Sequence, residues 1–479
     1  MLGRRPHPAQ DFMEDALIHR QEKSREAGSC LGRDLKFRLR HYPSGGFLAR
    51  PVGRDQSAMA FSAKAKEGEL QSWRLIRNMS EEALKQAAED TRAPHRDWRE
   101  RTRAILPSVA AAAAEIERER RLPERLVAEL KAAGFFGLLV PRGYGGAELD
   151  PPTFVTILET IAAVDASTAW CLGQTNVCNT VAGYLSPEVG REVFGGPEPT
   201  VIAWGAGFGG RAEAVPGGYR VNGKWSFASG GHHANWLGGH CIVTDGGKER
   251  RRPDGAVVTR TMLFPAGATT LVDIWRVIGL RGTGSDAYAV ENLFVPESHS
   301  VARDDPAERR HPAPLYLFPS NNLYGSGFAG VAVGIARAML DALMTLAREK
   351  TPRGLKSTMG ENPVSQYEIA RAEARARAAH MYLMGTVSEV WQSVLRSGRL
   401  TLDQRGAIRL AATHVIHEAA AVADFAYHWA GATAIFETSP FERRFRDIHA
   451  VAQQMQGRAS HFETVGQLLL GQEADTSFL

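Results

Sequence analysis

Two segments in the middle of the chain, which combine aromatic, hydroxyl and glycine residues, rise above the background of the sequence. The first is Lys224-Trp225-Ser226-Phe227-Ala228-Ser229-Gly230-Gly231, and the second is Arg281-Gly282-Thr283-Gly284-Ser285. The Ser229 hydroxyl can donate or accept a hydrogen bond, and the two glycines after it allow close approach to the backbone. The alternative interpretation is a β-turn beside a tryptophan of the hydrophobic core.

A glycine-rich segment, Gly205 to Gly210, matches the GxGxxG pattern of nucleotide-binding turns. Such a turn must open a helix, and an acidic residue further along must hold a ribose. Here Pro216-Gly217-Gly218 leads to another strand, and no Asp or Glu occurs from 214 to 244. We therefore exclude a dinucleotide site and expect these glycines to let the backbone approach something flat or bulky.

The histidines of this region come nearest to a metal site. His232, His233, His240 and Cys241 lie close together in the sequence. Adjacent residues of a strand point to opposite faces, and no carboxylate or second cysteine pair completes a ligand set. We therefore predict no metal and give the histidines pocket or structural roles.

The composition is that of a soluble globular protein. The 479 residues are 44% hydrophobic and 23% charged, with a net charge of +4 that is too small for a nucleic-acid binder. Four cysteines form no CxxC pair, which favours a reducing compartment. No stretch reaches about 18 consecutive apolar residues, and the first residues lack the apolar core of a secretion signal. We predict a cytoplasmic protein that binds neither membrane nor nucleic acid.

The net charge belongs to the first part of the chain. Residues 1–69 hold 13 Lys/Arg and 9 Asp/Glu, which accounts for the whole +4. They show no sustained apolar period, so residues 1–78 are predicted to be a disordered extension. Translation from a start codon upstream of the true one and a basic arm for an anionic partner are the alternatives.

The rest of the chain has an α+β pattern in three parts. Amphipathic runs predict an N-terminal helical domain over 79–198, and short β-branched or aromatic runs predict a β-barrel-like domain over 199–305. Val221-Asn222-Gly223-Lys224 predicts a hairpin turn inside that domain. Residues 306–479 are predicted to form a four-helix bundle, with helices at 320–350, 364–397, 401–430 and 440–470.

Several motifs in this order resemble the acyl-CoA dehydrogenase superfamily over about residues 80–479. They are the PxxYGG of Pro141 to Gly146, the two segments above, a strand ending in Phe294-Val295-Pro296, and Arg446-Asp447 on a late helix. The resemblance implies the same three-part fold, with a flavin held between the β domain and the bundle. It also implies a homotetramer in which a neighbouring subunit completes the cofactor site.

The resemblance carries the flavin contacts over to particular residues. It implies FAD, with FMN left open, because the segments for the pyrophosphate and adenine are only loosely alike. The residues that it places next to the flavin are Trp204, Trp225, Phe227, Ser229, Gly230, Arg281, Thr283, Gly284, Ser285 and Gln366.

A dehydrogenase of this family needs a carboxylate to remove a proton next to a thioester. After Arg446-Asp447 the aligned positions are Met455 or Gln456, and residues 315–340 contain no Asp or Glu. Both places for the base are vacant. This vacancy and the WxFxSG form resemble the flavin-dependent monooxygenases of the superfamily, which take reduced flavin from a separate reductase and use O2 to oxygenate an aromatic ring, sulfur or nitrogen.

Within that branch two residues are predicted to be catalytic. Ser229 would donate a hydrogen bond near the flavin N5, and His449 would orient the substrate or act as a weak base. A histidine on the helix surface or at an interface is the alternative for His449. The segment after Ala169-Trp170 lacks the histidine of phenol-hydroxylating relatives, which counts against phenol. The predicted lining of a pocket for a small-molecule substrate is Asn176, Cys178, Trp236, Phe328 and Met455.

Two other hypotheses remain open. The first is an acyl-CoA dehydrogenase or oxidase with a relocated base, for which Glu463 or Glu437 would have to serve. The second is a flavin-free scaffold that keeps the fold for assembly.

Overall fold

The computed structural model describes residues 92–479, with side chains from residue 97 onward. The predicted extension over 1–78 and the first residues of the predicted helical domain lie outside the described part. Five helices precede the strands in the described chain: α1 (Arg92–Glu119), α2 (Glu124–Ala132), α3 (Pro151–Ala162), α4 (Ala166–Asn179) and α5 (Pro187–Phe194).

Side-chain caps fix where three of these helices begin. Asp150, Asp165 and Ser186 each accept a hydrogen bond from the backbone N–H three residues further along. Such a cap satisfies one of the free N–H groups of the first turn and contributes about 1 kcal/mol. The start of α4, which carries much of the candidate site, is therefore set by Asp165.

A mixed sheet follows the helices. Its strands are β1 (Ile202–Trp204), β2 (Gly210–Val215), β3 (Gly218–Trp225), β4 (Trp236–Asp245), β5 (Lys248–Glu249), β6 (Thr259–Pro265), β7 (Thr270–Val272), β8 (Ala287–Pro296) and β9 (Ser300–Val301). The order is β7-β8-β3-β2-β4-β6-β9, and β1 and β5 also pair with β4. β1 and β2 run parallel to β4, whereas the other pairs are antiparallel.

The predicted turn at 221–224 is wrong, because these residues lie inside β3. The hairpin between β2 and β3 turns at Pro216-Gly217, since Val215 pairs with Gly218. Gly223 serves a different purpose: a Cβ there would overlap the ring of Trp225. The glycine marks a close approach within a strand and not a turn.

Trp225 occupies the centre of the sheet's own core. Its side chain is 1% exposed, and its Nε1 donates to the carbonyl of His240 over 3.0 Å. Glycines surround the ring because no side chain would fit there: a Cβ on any of Gly205, Gly209, Gly210, Gly223 or Gly239 would lie within 3.0 Å of Trp225. The expectation that glycines of 205–210 admit something bulky is thus confirmed for Gly205, Gly209 and Gly210, and the bulky group is Trp225.

The C-terminal part is a helical bundle, which confirms the predicted fold class. Its helices are α6 (Ser320–Glu349), α7 (Pro363–Ser397), α8 (Leu402–Ala430), α9 (Glu442–Gln453) and α10 (Ser460–Leu469). The prediction of one helix over 440–470 is wrong, since a short 3-10 turn at Met455–Gly457 separates α9 from α10. A Cβ at Gly457 would come within 2.6 Å of the Ala452 carbonyl. The turn after α9 therefore brings the backbone of these two residues close together.

Helix α6 lies at the centre of the fold and packs against α3, α4 and α8. It is the one helix in the described residues that is long and apolar enough to cross a membrane. Most of its residues are buried inside the protein, as expected of a core helix that is apolar all round.

Candidate active site

Two helices face each other through matched stripes of side chains. Residues spaced by four lie on one face of a helix, so each helix presents three side chains in a row. The stripe of α4 is Trp170, Gln174 and Cys178, and the stripe of α6 is Ser320, Tyr324 and Phe328. We call the contact between these two stripes the α4–α6 seam; Ser320, at the end of its stripe, bonds to Arg303 and Asp304.

The two stripes pair in antiparallel order, so that the first residue of the α4 stripe contacts the last residue of the α6 stripe. The rings of Trp170 and Phe328 stack at 3.7 Å between centroids and 3° between planes. One turn further, Gln174 Nε2 donates to the Tyr324 hydroxyl over 3.2 Å, and Cys178 Sγ lies 3.4 Å from the same hydroxyl. Burial raises the pKa of the Cys178 thiol to about 12, so this cysteine remains a neutral thiol. The seam is closed and largely buried.

A chain of hydroxyl groups connects the seam to the RGTGS segment. Trp170 Nε1 donates to Ser229 Oγ over 3.0 Å, and Ser229 Oγ lies 2.6 Å from Ser285 Oγ. Ser285 Oγ lies 2.7 Å from Thr283 Oγ1, which donates to the Leu280 carbonyl over 2.8 Å. Three of the predicted flavin neighbours therefore converge on one buried cluster, which we call the hydroxyl chain.

The groups at the two ends of the hydroxyl chain fix the direction in which its hydrogen bonds are donated. An indole N–H can only donate and a carbonyl can only accept. Because Thr283 donates to Leu280, Ser285 must donate to Thr283, and Ser229 must donate to Ser285. In this arrangement the Ser229 proton is already engaged, and its hydroxyl offers only a lone pair to a ligand. The predicted role of Ser229 as a donor to flavin N5 would require the chain to reverse.

The Arg446-Asp447 motif holds the RGTGS segment in place. Asp447 Oδ1 accepts from the backbone N–H of Leu280 over 2.6 Å, and Leu280 has a left-handed φ of 52°. The preceding residue, Gly279, packs so closely that a Cβ would overlap the Arg446 carbonyl. A carboxylate from the bundle thus supports the strained residue from which the hydroxyl chain begins.

Burial raises the pKa of the Asp447 carboxyl to about 7, although Arg443 and the Leu280 N–H oppose this shift. The carboxyl pKa of an unfolded chain is near 3.9. The native state therefore binds one more proton than the unfolded state between about pH 4 and pH 7. The contribution of the protonated Asp447 carboxyl to the free energy of unfolding is complete below pH 4 and is lost as the pH rises to about 7.

Replacing Asp447 by asparagine should remove this pH dependence. Asparagine keeps an oxygen for the Leu280 N–H and does not ionise. We expect the free energy of unfolding of the wild type to fall by about 4 kcal/mol relative to Asp447→Asn between pH 4 and pH 7. Urea denaturation at a series of pH values measures this. Asp403→Asn, on the exposed first turn of α8, is the control, and parallel curves for the wild type and Asp447→Asn would contradict the assignment.

Beside the hydroxyl chain lies an exposed aromatic residue in a strained conformation. Phe227 has a φ of 66° and its side chain is 62% exposed. Its ring meets that of Trp275 edge-on at 5.9 Å, and the neighbouring Ile274 is also exposed. A bulky residue rarely adopts a left-handed φ without functional reason. An apolar surface next to a buried polar group fits the ring and the polar edge of a flavin.

Two of the predicted flavin contacts are enclosed within the chain and stay predictions without support from the structure. Trp225 is the last residue of β3, and its side chain lies on the inward face of the sheet. The glycines packed around the ring enclose it, so a ligand has no access to the ring. Trp204 is 3% exposed and lies between His240 and Arg303, with ring centroids 5.3 Å from His240. The contacts of the Trp204 side chain are thus with His240 and Arg303. Gly230 and Gly284 both have left-handed φ values and flank the hydroxyl chain, so they suit the predicted role.

Two further flavin contacts stay predictions. Arg281 lies at the start of the RGTGS turn and is within 3.6 Å of Glu117. Gln366 is exposed on the first turn of α7, where its Nε2 donates to the Gly360 carbonyl over 2.8 Å.

Of the predicted pocket residues, Phe328 and Cys178 lie in the seam. Asn176 does not, because its amide is used to fix the backbone: Nδ2 donates to the carbonyls of Phe135 and Leu172 over 2.8 and 2.9 Å. The amide of Asn176 thus stabilises the backbone, and its predicted place in the pocket stays a prediction. Sequence reasoning missed Gln174 and Tyr324, which the four-residue spacing from Trp170 and Phe328 could have indicated.

Three other predicted site residues make contacts elsewhere. Trp236 stacks on His299 at 5.8 Å, and the carbonyl of Met455 accepts from His461. His449 Nε2 lies 2.9 Å from Asp424 Oδ1, in a pair that is about a third exposed. His449 thus pairs with a carboxylate of α8, and its predicted catalytic role remains a prediction without support from the seam.

The histidines of residues 232–241 make separate contacts and do not converge on one point. They do not lie on one strand as expected, since Gly231–His233 forms a 3-10 turn. His232 Nε2 lies 2.7 Å from Asp286, and His240 Nδ1 lies 2.8 Å from the Thr261 hydroxyl. In the described residues no group of three or more His, Cys, Asp or Glu could hold a metal ion.

The two carboxylates that a dehydrogenase would need are exposed. Glu437 lies in the loop before α9 and Glu463 on the first turn of α10, and both face solvent. A base that removes a proton next to a thioester acts from within a closed site. The positions of these residues give the dehydrogenase hypothesis no support.

Comparisons with known proteins agree on the family. The sequence profile of the acyl-CoA dehydrogenase N-terminal domain matches residues 92–194, and that of the C-terminal domain matches residues 326–457. The oxygenase subunit HsaA of a flavin-dependent monooxygenase from Rhodococcus jostii is 30% identical over 361 residues, which cover 73% of this chain and 92% of that protein.

Two more similar proteins have related descriptions. Indole-3-acetate monooxygenase from Pseudomonas putida is 28% identical over 365 residues, covering 76% of this chain and 91% of that protein. The crystal structure of 3-HSA hydroxylase from Rhodococcus sp. RHA1 aligns with a TM-score of 0.72 at 28% identity, covering 80% of this chain and 99% of that one.

Proposed function

This chain belongs to the acyl-CoA dehydrogenase family, among its flavin-dependent monooxygenases, and on that premise we propose that it is the oxygenase component of a two-component system acting on a small aromatic compound. The observation that carries the proposal is the hydroxyl chain, which ends at Ser229 beside the exposed ring of Phe227. A carboxylate base is missing from the seam, whereas oxygenation requires none.

Phe227, Ser229 and Gly230 would hold the flavin, with Thr283 and Ser285 behind Ser229. Reduced flavin, when bound, supplies the activation of O2 and the transfer of one oxygen atom to the substrate. FAD is proposed ahead of FMN on the family pattern. The aromatic stack of Trp170 and Phe328 excludes water from the side of the seam that adjoins Ser229, which suits a reaction that water would divert.

A separate reductase would supply the reduced flavin, in keeping with the description of HsaA as an oxygenase subunit. We also propose a homotetramer, supported by exposed apolar residues on the outer face of α7, including Tyr367, Met381 and Tyr382. The three described cysteines, Cys171, Cys178 and Cys241, are free, which supports the proposal of a reducing, cytoplasmic compartment.

Incubation with a flavin reductase, NADH, ¹⁸O2 and a panel of aromatic compounds should test the activity. We expect an oxygenated product that carries one ¹⁸O atom and forms only when the reductase is present. Ser229→Ala should lower the product formed per O2 consumed by about tenfold, because one hydrogen bond near the flavin edge is lost.

Ser357→Ala, in the exposed loop before α7, is the matched control and should behave as the wild type. Oxidation of an acyl-CoA with an artificial electron acceptor, in the absence of any oxygenated product, would overturn the proposal. Unchanged product yield in Ser229→Ala would remove the hydroxyl chain as its basis.

A further inference from the structure

The three residues Asp273, Ile274 and Trp275 follow β7 and bring a tryptophan to the candidate flavin surface. We call them the Trp275 loop. The Trp275 ring meets the ring of Phe227 edge-on at 5.9 Å. The same side chain donates from Nε1 to the Leu280 carbonyl over 3.1 Å, and this carbonyl is also the acceptor at the end of the hydroxyl chain. Trp275 therefore contacts both the apolar and the polar part of the candidate site.

The carboxylate of Asp286 holds the backbone of the Trp275 loop. Its Oδ1 accepts from the N–H groups of Ile274 and Trp275 over 2.7 and 2.8 Å. Its Oδ2 lies 2.7 Å from His232 Nε2, and the residue is buried. Hydrogen bonds to an ionised acceptor are shorter and stronger than those between neutral groups. One side chain therefore fixes two successive residues of the loop.

The backbone of Asp286 ties the Trp275 loop to the two motifs of the candidate site. Asp286 directly follows Ser285, the last residue of the RGTGS segment. Its carbonyl accepts from the N–H of Ala228, which lies between Phe227 and Ser229, over 3.2 Å. A shift of Asp286 would thus be felt in all three segments at once.

An arginine from the helical part binds the other side of the loop backbone. Arg120 directly follows α1 and has a left-handed φ of 57°. Its Nη1 donates to Asp273 Oδ1 and to the Trp275 carbonyl, both over 2.9 Å, and its Nη2 donates to Asp273 Oδ2 over 3.2 Å. The hydrogen bonds from Arg120 hold the pKa of the Asp273 carboxyl below its usual value. The loop is thus bound at its N–H groups by a carboxylate and at its carbonyl by a guanidinium.

The exposed ring of Phe227 requires such support. Its backbone has a left-handed φ that bulky residues rarely adopt, and most of its side chain is open to solvent. Neither backbone preference nor burial therefore holds the ring in place. A strained residue persists where the surrounding structure determines its conformation, and the contact with Trp275 provides this for Phe227.

We propose that Asp286 is a positioning residue of the flavin site, which fixes Trp275 and through it the Phe227 ring and the Leu280 carbonyl. The proposal rests on the proposed function, because it takes the surface at Phe227 and Ser229 as the place of the flavin. It adds a buried carboxylate that acts on the flavin through another side chain.

Equilibrium binding of the flavin tests this role. Anaerobic isothermal titration calorimetry with reduced FAD and reduced FMN would give the dissociation constants of the wild type and its variants. We expect Asp286→Ala to weaken binding by about tenfold, because the N–H groups of Ile274 and Trp275 lose their acceptor and the loop must be ordered again when the flavin binds. Asp286→Asn keeps an oxygen for both N–H groups and should restore binding to within about threefold of the wild type.

A double-mutant cycle separates positioning from general support of the fold. Trp275→Ala should weaken binding about as much as Asp286→Ala. Because Asp286 acts through Trp275, the double variant should bind no more weakly than Trp275→Ala alone. Trp275→Phe keeps a ring beside Phe227 and should bind more tightly than Trp275→Ala. Asp286→Ser, which retains one oxygen, replaces Asp286→Ala in the cycle if circular dichroism shows that the alanine variant is poorly folded.

Two substitutions elsewhere are the matched controls, Asp254→Ala and Trp391→Ala. Asp254 accepts the backbone N–H of Ala256 over 2.9 Å in the exposed loop between β5 and β6. Trp391 meets Phe318 at 5.8 Å, a ring pair as close as that of Trp275 and Phe227. Both variants should bind reduced flavin as the wild type does.

The inference is overturned if Asp286→Ala binds reduced flavin as tightly as the wild type, or if the loss in the double variant is the product of the two single losses. Failure of the proposed function is a separate result: Asp286→Ala would weaken flavin binding as expected, but the wild type with a reductase would form no oxygenated product. A wild type that binds neither reduced flavin would overturn both.

Discussion

Gly279→Ala is expected to reduce the rate of oxygenation by about 100-fold while leaving most of the fold intact. A Cβ at Gly279 would overlap the carbonyl of Arg446 on α9, and both partners in this contact are backbone. The segment that begins at Leu280 must therefore shift, and with it Thr283 and Ser285. A displacement of about 1 Å at a catalytic constellation costs a rate factor of this size.

The rate of product formation with a reductase and reduced flavin measures this effect, and circular dichroism reports on the fold. Gly267→Ala is the matched control, because a Cβ there meets nothing within 4 Å and the residue lies in the same sheet domain. Wild-type activity in Gly279→Ala would show that the contact with α9 does not position the hydroxyl chain.

Trp225→Ala is expected to lower the free energy of unfolding by about 3–5 kcal/mol. The ring is fully buried, and its Nε1 donates to the His240 carbonyl. Glycines surround the ring, so no neighbouring side chain there can move into the cavity that its removal would leave. The large ring and the rigid backbone around it place this substitution at the upper end of the range for core residues.

Urea denaturation monitored by circular dichroism measures the loss. Phe294→Ala, on β8 of the same sheet, is the comparison, since its side chain is 42% exposed and should cost about 1 kcal/mol or less. A loss of less than about 1 kcal/mol for Trp225→Ala would mean that the socket collapses around the missing ring.

The order of elements was predictable because periodicity and capping act locally. The WxFxSG and RGTGS motifs also pointed to Ser229, Thr283 and Ser285, which the structure brings together in one buried cluster. The role of Trp225 was not predictable in the same way. It and Phe227 are two residues apart and would share a face in a regular strand, but the left-handed φ of Phe227 turns its side chain outward while Trp225 stays in the core.

The other differences have a common physical origin in tertiary contacts. Arg303 lies in a loop, and only the folded chain brings it to Ser320 and over Trp204. Asn176 has the polarity of a ligand-binding residue. Its amide nevertheless donates a hydrogen bond to the backbone carbonyl of Phe135, a buried group that requires a partner. A single sequence contains no signal for either pairing.

The direction of the hydroxyl chain bears on redox selectivity. Ser229 receives the Trp170 N–H and gives its own proton to Ser285, so it faces an incoming ligand as an acceptor. The N5 atom of a reduced flavin carries a hydrogen, whereas that of an oxidised flavin is bare. If the flavin binds at Ser229 as proposed, a reduced ring would bond to Ser229 with the hydroxyl chain as it stands. An oxidised ring in that place would require Ser229, Ser285 and Thr283 to turn together and Thr283 to leave the Leu280 carbonyl, so the resting order of these protons would favour the reduced cofactor.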